Sequence, residues 1–143
     1  MISNLYQRNI LALAAEARGA GRLPHPDGTA DLRNPLCGDH VILDIAVSDG
    51  RIGHVGHDIK ACVICQASAS ILCEIAAGLT DEDLKAGIKA VTAMLKEGIP
   101  PSGRPWEAWR DFAAIAPHGN RHRCVLLPLE AARDALQDAL SDA

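Results

Sequence analysis

Five cysteines and a nearby aspartate are the side chains of this 143-residue chain whose types and spacing suit metal binding or nucleophilic chemistry. Cys37 and Asp39 lie two residues apart in the segment 34–39, which reads NPLCGD. In an extended chain these two side chains would point to the same side, and Gly38 allows a sharp turn between them. A soft thiolate beside a hard carboxylate suits a borderline cation such as zinc, or iron.

Two ligands do not make a metal site, so other cysteines would have to complete it. Cys62 and Cys65 form a C-x-x-C pair, but no thioredoxin-like context precedes them. We interpret Cys65 as a residue of a helix packing surface, with an auxiliary ligand or a redox partner as the alternative. Cys73 lies in an apolar stretch, which is typical of a small buried side chain. Spacing alone leaves a metal site shared by Cys37, Asp39, Cys62 and Cys124 open.

The histidines carry less information than the cysteines. His54 and His57 lie in a glycine-containing strand without a carboxylate to orient them, and we expect both at the surface. His122 lies two residues before Cys124 and in an extended chain would share its side, so a role behind the ligands stays open. The sequence contains no nucleotide-binding loop, no G-x-S-x-G elbow and no H-E-x-x-H motif.

Composition limits the class of protein. Hydrophobic residues make up 48% of the chain and aromatic residues only 3%, which favours close-packed helices built from small aliphatic side chains. The length predicts a single domain spanning residues 1–143. A net charge of −4 argues against a general nucleic-acid-binding surface. No export signal or bilayer-spanning run is evident, so we expect a cytoplasmic protein without a membrane partner, and cysteines kept for metal or reactive sites.

The first half of the chain predicts a helix followed by a β-hairpin. Residues 4–17 read as a helix, and the glycines and prolines of residues 19–28 end it in a loop. Residues 40–47 alternate as a half-buried strand, and Ser48-Asp49-Gly50 is a strong hairpin turn. The return strand, 51–59, contains Gly53 and Gly56, which indicate a bulge. This return strand would place Cys62 beside the start of the hairpin.

The second half predicts helices. Residues 63–77 form one, with Cys62 at its N-terminal edge, where the helix dipole favours a thiolate. Thr80 caps the next helix. Trp106, Trp109 and Phe112 form a core or partner-facing stripe, and not an aromatic ligand box, on a short helix over residues 105–116. Pro128 marks a position near the start of the C-terminal helix. Cys124 then lies at a loop-to-helix junction.

Three motifs together are more specific than any spacing. The segments 34–39 (NPLCGD), 61–70 (ACVICQASAS) and 121–124 (RHRC) follow one another in this order. This arrangement resembles the IscU/NifU-N-terminal family of iron–sulfur cluster assembly proteins. The residues 98–118 before the last cysteine, and Arg123, resemble the SufU-like branch of that family. Ala61 departs from the family's usual glycine, and Cys65 leaves a ligand exchange open.

The resemblance implies a fold and a site. The fold is an α/β (α+β) IscU-like sandwich, in which a small three-stranded antiparallel sheet packs against helices. Its third strand would come from the segment before Cys37. The metal site would lie at one exposed end of the molecule, with Cys37, Asp39, Cys62 and Cys124 as ligands.

The resemblance also implies a function. A SufU-type protein is a zinc-dependent acceptor of persulfide sulfur from a SufS-type cysteine desulfurase, with Cys37 as the acceptor and Cys124 as the alternative acceptor. It would be a sulfurtransferase. The alternative is a non-enzymatic IscU-type scaffold, which binds iron, assembles a 2Fe–2S cluster on the same residues and passes it to downstream cluster assembly proteins. A third reading is a zinc-stabilised domain without sulfur traffic.

Overall fold

The fold is a small sheet covered by helices. A computed structural model describes residues 4–141, with side chains described from residue 8 onward. The elements in chain order are α1 (Asn4–Glu16), β1 (Gly28–Asn34), β2 (Asp39–Ser48), β3 (Arg51–Lys60), α2 (Val63–Ile75), α3 (Asp81–Glu97), a 3₁₀ helix (Trp106–Ile115), a 3₁₀ turn (Gly119–Arg121) and α4 (His122–Ser141).

The three strands form one antiparallel sheet in the order β1-β2-β3, so the predicted α+β fold with a third strand before Cys37 is confirmed. Val41, Leu43 and Ile45 are fully buried, as the alternation of this segment predicts. In the part of the chain that the structure describes, no helix is long and apolar enough to cross a bilayer. That residues 1–143 form a single domain stays a prediction.

The hairpin between β2 and β3 forms where the sequence predicts it. Asp49 and Gly50 have φ values of 53° and 75°, which the primed hairpin turns require. The strand pairing shifts between Ala46 and Val47, which leaves Gly53 as the extra residue of a bulge. The bulge predicted from the glycines of β3 is therefore confirmed at Gly53.

The segment after α1 covers the outer edge of β3 and buries His57. The Gly21 N–H donates to the carbonyl of His57 over 2.8 Å, and the ring Nε2 of His57 lies 2.8 Å from the Arg18 carbonyl oxygen. His57 is only 7% exposed, so its predicted surface position is wrong, whereas His54 is exposed as predicted. A Cβ at Gly56 would lie 2.5 Å from the Gly21 carbonyl oxygen, so this close approach requires a glycine.

The aromatic stripe on the 3₁₀ helix packs against α2 and takes part in the hydrogen bonds that join α2 to α4. Trp106, Trp109 and Phe112 are buried, which confirms the core alternative for this stripe over the partner-facing one. Nε1 of Trp109 donates to Oγ of Ser68 over 3.0 Å, and that hydroxyl donates to the Val125 carbonyl over 2.6 Å. Because Ser68 lies on α2 and Val125 on α4, these bonds fix the position of one helix against the other.

Helix α4 begins earlier than the sequence predicts. It starts at His122, and Pro128 lies buried inside it, so the placement of Pro128 near the helix start is wrong. A proline at this position cannot donate the helical hydrogen bond to the Cys124 carbonyl. The helix continues because the side chains around the proline are buried against the sheet and α2. Leu127 and Leu129 are both fully buried.

Helix α3 begins directly after Thr80, as the sequence predicts. The Thr80 hydroxyl accepts the Asp83 N–H over 3.1 Å, and the Asp83 carboxylate accepts the Thr80 N–H over 2.9 Å. These reciprocal bonds form a capping box. Gly98 ends the helix with a left-handed φ of 71°.

A buried carboxylate holds the loop between α1 and β1 on the sheet. The side chain of Asp44 is fully buried and accepts hydrogen bonds from Arg22 Nε (2.6 Å), Thr29 Oγ1 (2.7 Å) and the Leu23 N–H (3.1 Å). Burial would raise the pKa of Asp44, but the bonds from Arg22, Thr29 and Leu23 outweigh it and lower the pKa. The ionised form is therefore the one that stabilises the fold.

We expect Asp44→Asn to lower the free energy of unfolding by about 1–3 kcal/mol at neutral pH. The folded-state pKa of Asp44 lies below its unfolded value. Its contribution is therefore complete above the unfolded pKa, about 3.9, and is lost as pH falls through the folded pKa. Urea unfolding at pH 7 and near pH 3 measures this.

The difference between wild type and Asp44→Asn should shrink at the lower pH, and a constant difference would contradict this role of Asp44. Asp49→Asn is the matched control. It lies at an exposed turn with φ of 53°, which asparagine also tolerates, so its effect should stay within about 0.5 kcal/mol.

Candidate metal centre

The candidate ligands come from element ends that meet at one end of the sheet. Strand β1 ends at Asn34, β2 begins at Asp39, and β3 ends at Lys60. Helix α2 begins at Val63 and α4 at His122. This topology brings together three segments that are far apart in the sequence.

The segment 34–39 is a turn, and not the extended run that the sequence suggested. The Asn34 carbonyl accepts N–H bonds from Cys37 (3.3 Å) and Gly38 (2.8 Å), and residues 35–38 connect β1 to β2. Gly38 has a φ of 74°, so the predicted sharp turn at this glycine is confirmed. The extended geometry was wrong because these bonds close the chain into a hairpin turn. Cys37 lies in the turn and Asp39 is the first residue of β2.

Three candidate ligands lie close together at this end, and a fourth lies beside one of them. The Sγ atoms of Cys37 and Cys124 are 3.4 Å apart, and one ligand atom each from Cys37, Asp39 and Cys124 lies within 4.8 Å of the others. The Sγ atom of Cys62 lies 3.8 Å from Oδ2 of Asp39. Around a tetrahedral zinc ion with Zn–S bonds of about 2.3 Å, neighbouring sulfur atoms are about 3.8 Å apart. The separations among Cys37, Asp39 and Cys124 therefore fit a single tetrahedral cation. Cys62 lies beside Asp39 but outside the group whose ligand atoms are all within 4.8 Å of one another.

Asp39 lies on the buried side of the candidate site and hydrogen-bonds to Cys62. Its side chain is only 1% exposed, and its Oδ1 accepts the N–H of Cys62 over 2.9 Å. Cys62 has extended backbone angles and is the N-cap of α2, as its predicted position at the helix edge implies. Cys124 lies in the first turn of α4. The N-termini of α2 and α4, which carry the positive ends of their helix dipoles, therefore lie at the candidate site.

The two sulfur atoms that lie closest together differ in exposure. Cys124 is fully buried, whereas Cys37 is half-buried. Burial raises the pKa of the Cys124 thiol, and the hydrogen bonds with Asp39 and Cys37 and the charge of Cys62 raise it further. A cation that holds this thiol as a thiolate would displace its proton on binding.

The remaining cysteines lie outside this group. Cys65 is fully buried on the packing side of α2, which confirms the first interpretation of this residue. Burial, followed by the charges of Asp39, Cys62 and Cys37, raises the pKa of Cys65. Its role as an auxiliary ligand stays a prediction. Cys73 is half-buried and not fully buried as expected, and burial raises its pKa to about 12.

His122 and Arg123, which precede Cys124, contact other residues of the protein. Nε2 of His122 lies 2.9 Å from the Ala116 carbonyl oxygen, so this ring holds the end of the 3₁₀ helix against the start of α4. His122 belongs to α4, and the extended chain that suggested a role behind the ligands was wrong. Nε of Arg123 lies 3.5 Å from the Glu130 carboxylate.

Two asparagines contact the sulfur atoms, and sequence reasoning missed both contacts. Nδ2 of Asn34 lies 3.8 Å from Sγ of Cys124, and the Asn120 carbonyl oxygen lies 3.7 Å from Sγ of Cys37. The Asn-Pro pair at residues 34–35 is a signal for a turn. It carries no information about Cys124, because the two residues are 90 positions apart in the sequence.

Apolar side chains surround the exposed side of the site. Leu36 is 79% exposed beside Cys37, and Val63 is 40% exposed beside Cys62. A groove of about 450 Å³ adjoins Cys62, and its lining includes Val63, Ile64, Ile115, His118, Asn120 and Arg121. Exposed apolar groups at a polar site are typical of a surface that another protein covers.

Comparison with known proteins gives one family. The sequence profile described as "NifU-like N terminal domain" matches residues 5–114. An iron–sulfur cluster assembly scaffold protein IscU of Thermotoga maritima is 30% identical over 133 residues, which cover 93% of each chain. Two IscU scaffold proteins of Archaeoglobus fulgidus are 27% identical over 96 residues, and the chain spans 63% of their length.

Solved structures agree with these relatives. The N-terminal part of a NifU-like protein from Brucella abortus superimposes with a TM-score of 0.89 at 30% identity, over 96% of both chains. A protein of Fervidobacterium islandicum, described as an iron–sulfur cluster assembly scaffold for the SUF system, has a TM-score of 0.81 over 90% of this chain and 93% of its own. At 23% identity, this second likeness shows the fold alone.

The exposures predict an order of alkylation in the metal-free protein. We expect iodoacetamide to modify the half-buried Cys37 and Cys62 first, and the fully buried Cys65 and Cys124 at least about tenfold more slowly. Cys73 should also react slowly, because at a pKa of about 12 little of it is thiolate. Peptide mass spectrometry over a time course measures the five rates.

Urea-unfolded protein is the control, and there the five rates should become similar. If Cys124 in the folded protein reacted as fast as Cys37, the described difference in burial would be contradicted.

Proposed function

Since the chain belongs to the NifU-like N-terminal domain family, we propose that it acts in iron–sulfur cluster assembly as a zinc-dependent sulfur acceptor of the SufU type. The family resemblance seen in the sequence is confirmed by this match. The observation that carries the proposal is the gathering of thiols and a carboxylate, within 4.8 Å of one another for Cys37, Asp39 and Cys124, at an end with exposed apolar neighbours.

Cys37, Asp39, Cys62 and Cys124 would hold the zinc ion. Three sulfur ligands and one oxygen ligand suit zinc. Cys37, Asp39 and Cys124 lie within 4.8 Å of one another, and Cys62, 3.8 Å from Asp39, would move closer to complete the set. Three thiolates, one carboxylate and one divalent cation leave a formal charge of about −2. The N-termini of α2 and α4 offset part of this charge. When bound, zinc keeps the thiolates deprotonated and lowers their nucleophilicity.

Cys37 is the sulfur acceptor in this proposal, with Cys124 as the alternative. An acceptor must reach a sulfur atom that another protein carries, which requires exposure. Cys37 is half-buried in the β1–β2 turn beside the exposed Leu36, whereas Cys124 is fully buried in α4. The structure therefore supports Cys37 as the residue that an incoming persulfide meets first.

The transfer step conserves electrons and needs no further reactant. The Cys37 thiolate attacks the terminal sulfur of a persulfide on the desulfurase cysteine. A new S–S bond forms at Sγ of Cys37, the S–S bond of the donor breaks, and the donor cysteine leaves as a thiolate. Sulfur is thereby passed on at the same oxidation state.

The partner in this step is a SufS-type cysteine desulfurase. It would cover the apolar side chains Leu36 and Val63 and the groove beside Cys62. Exposed aliphatic side chains around a reactive thiol exclude water when a partner docks. Downstream cluster assembly proteins would then receive the sulfur.

A second candidate function is an IscU-type scaffold. It is favoured by the relatives themselves, because the Thermotoga maritima protein that is 30% identical is named an iron–sulfur cluster assembly scaffold. In this case the same residues would hold a 2Fe–2S cluster as cargo, without an enzymatic step. Thiolate ligands suit iron–sulfur clusters as well as zinc.

Metal content separates the two functions and tests the ligands. We expect aerobically purified wild-type protein to be colourless with about one zinc per chain. Cys37→Ser, Cys62→Ser and Cys124→Ser should each lower zinc content and lower the unfolding temperature, because an incomplete ligand set binds less tightly. Elemental analysis and thermal unfolding measure both.

Cys73→Ser is the matched control, since Cys73 lies outside the ligand group, and it should keep its zinc. Brown protein that contains iron and sulfide would support the scaffold function. Full zinc content in all three ligand variants would contradict the site.

The acceptor residue can be tested directly. We expect incubation with a SufS-type desulfurase and cysteine to add one sulfur atom to Cys37, and Cys37→Ala to abolish stimulation of the desulfurase. Peptide mass spectrometry under non-reducing conditions locates the persulfide. Cys73→Ala should behave like wild type.

A persulfide on Cys124 alone would overturn the assignment of Cys37. Equal stimulation by wild type and Cys37→Ala would instead favour a zinc-stabilised domain that carries no sulfur.

A further inference from the structure

We propose that Asn34 is a positioning residue that keeps Cys124 as the resident metal ligand and so leaves Cys37 as the thiol that exchanges sulfur. This inference rests on the proposed function, because it concerns the same two sulfur atoms. It goes beyond that function by explaining how two cysteines 3.4 Å apart are given different roles.

The side-chain amide of Asn34 is buried and has a contact on each side. Asn34 is 2% exposed, its Nδ2 lies 3.8 Å from Sγ of Cys124, and its Oδ1 accepts the Leu36 N–H over 3.2 Å. Hydrogen bonds to sulfur are longer than those to oxygen because sulfur is the larger atom. The amide therefore donates an N–H to Cys124.

The orientation of this amide is determined by its partners. If it were rotated by half a turn, its oxygen would face Sγ of Cys124 and its NH₂ group would face the Leu36 N–H. The NH₂ group and the Leu36 N–H would then be two donors facing each other, which is unfavourable. The bond from Leu36 therefore keeps the donor of Asn34 directed at Cys124.

The backbone of Asn34 is held as firmly as its side chain. It is the last residue of β1 and pairs with Asp39 of β2. Its carbonyl accepts the N–H groups of both Cys37 and Gly38, which closes the turn. A donor on such a rigid element holds its partner at a defined distance.

The Sγ atom of Cys37 has different hydrogen-bond partners from that of Cys124. In the metal-free protein the Cys37 thiol donates to the main-chain carbonyl oxygen of Asn120 over 3.7 Å and accepts the Cys124 thiol over 3.4 Å. When a cation holds both as thiolates, Cys124 has no proton to donate, and the Asn120 carbonyl oxygen offers the Cys37 thiolate no stabilisation. An N–H that donates to a thiolate stabilises the charge and lowers the nucleophilicity of the sulfur. Cys124, which receives this bond, is therefore the weaker nucleophile and the more persistent ligand, and Cys37 is the one that reacts.

The variants of Asn34 must remove the N–H donor to Cys124 and keep the acceptor for the Leu36 N–H, which helps to close the turn. Asn34→Ser keeps a side-chain oxygen that can accept the Leu36 N–H, but a serine is too short to reach Cys124. Asn34→Asp keeps the same acceptor and the same shape, and replaces the donor by an oxygen. Asn9→Ser is the matched control, because the Asn9 amide donates to Asp111 Oδ2 over 3.3 Å, away from the cysteines.

The first measurement titrates Co²⁺ into the metal-free full-length proteins and records the thiolate-to-cobalt charge-transfer absorption. Loss of an N–H bond raises the energy of the sulfur electrons, so Asn34→Ser should shift this band to lower energy. Co²⁺ affinity should fall by about 10–100-fold, as for other partners behind metal ligands. Asn34→Asp should show the same shift with weaker binding, and Asn9→Ser should match wild type.

The second measurement locates the persulfide after reaction with a cysteine desulfurase. Wild type and Asn9→Ser should carry the added sulfur on Cys37, whereas Asn34→Ser and Asn34→Asp should divide it between Cys37 and Cys124. A residue that only closes the turn would lower the stability without moving sulfur to Cys124.

The possible results distinguish a failure of the role of Asn34 from a failure of the proposed function. If wild type shows no thiolate-to-cobalt band, the metal site itself is wrong and the role of Asn34 ends with it. If wild type shows the band and both Asn34 variants keep its position and the persulfide on Cys37, the role of Asn34 is wrong and the function stands. Circular dichroism checks folding, and Asn34→Asp supplies the comparison if Asn34→Ser does not fold.

Discussion

Repulsion between ionised side chains is the constraint on which the site depends. Sγ of Cys37 and Sγ of Cys124 are 3.4 Å apart, and Asp39 lies buried between them and Cys62. Like charges at such distances favour neutral groups or a bound cation. The fold nevertheless holds these groups together, with the N-termini of α2 and α4 facing them. A site that is costly when empty and ionised binds a cation strongly, because the cation removes the repulsion.

The rest of the structure holds that arrangement in place. The β1–β2 turn carries Cys37 and Asp39, and the bonds of Ser68 with Trp109 and Val125 fix α2 against α4. The rigid parts of the site are therefore the sheet end and two helix starts, which limits how far any one ligand can move. Exposure is unequal within this rigid group. In the proposed transfer role, that inequality would allow Cys37 to react while Cys124 kept the metal.

The α1–β1 loop covers the outer edge of the sheet at β3. Its bonds to Asp44 and His57 cover one outer edge of a small sheet that would otherwise offer unpaired backbone groups. These contacts do not involve the candidate metal ligands, so the stability of the sheet does not depend on the metal site alone. In the proposed function, this separation would let the end of the molecule with the exposed Leu36 and Val63 bind a partner.

The sequence by itself determined the local elements and the family. The Asp49-Gly50 turn, the Thr80 cap and the bulge at Gly53 follow from the backbone preferences of a few neighbouring residues, and the three cysteine motifs identified the family. Only the tertiary structure decided the turn at residues 35–38, the burial of His57, the position of Pro128 inside α4 and the contact between Asn34 and Cys124. Each of these depends on packing or hydrogen bonds between distant segments. Such contacts override local preference, and no pattern of neighbouring residues reports them.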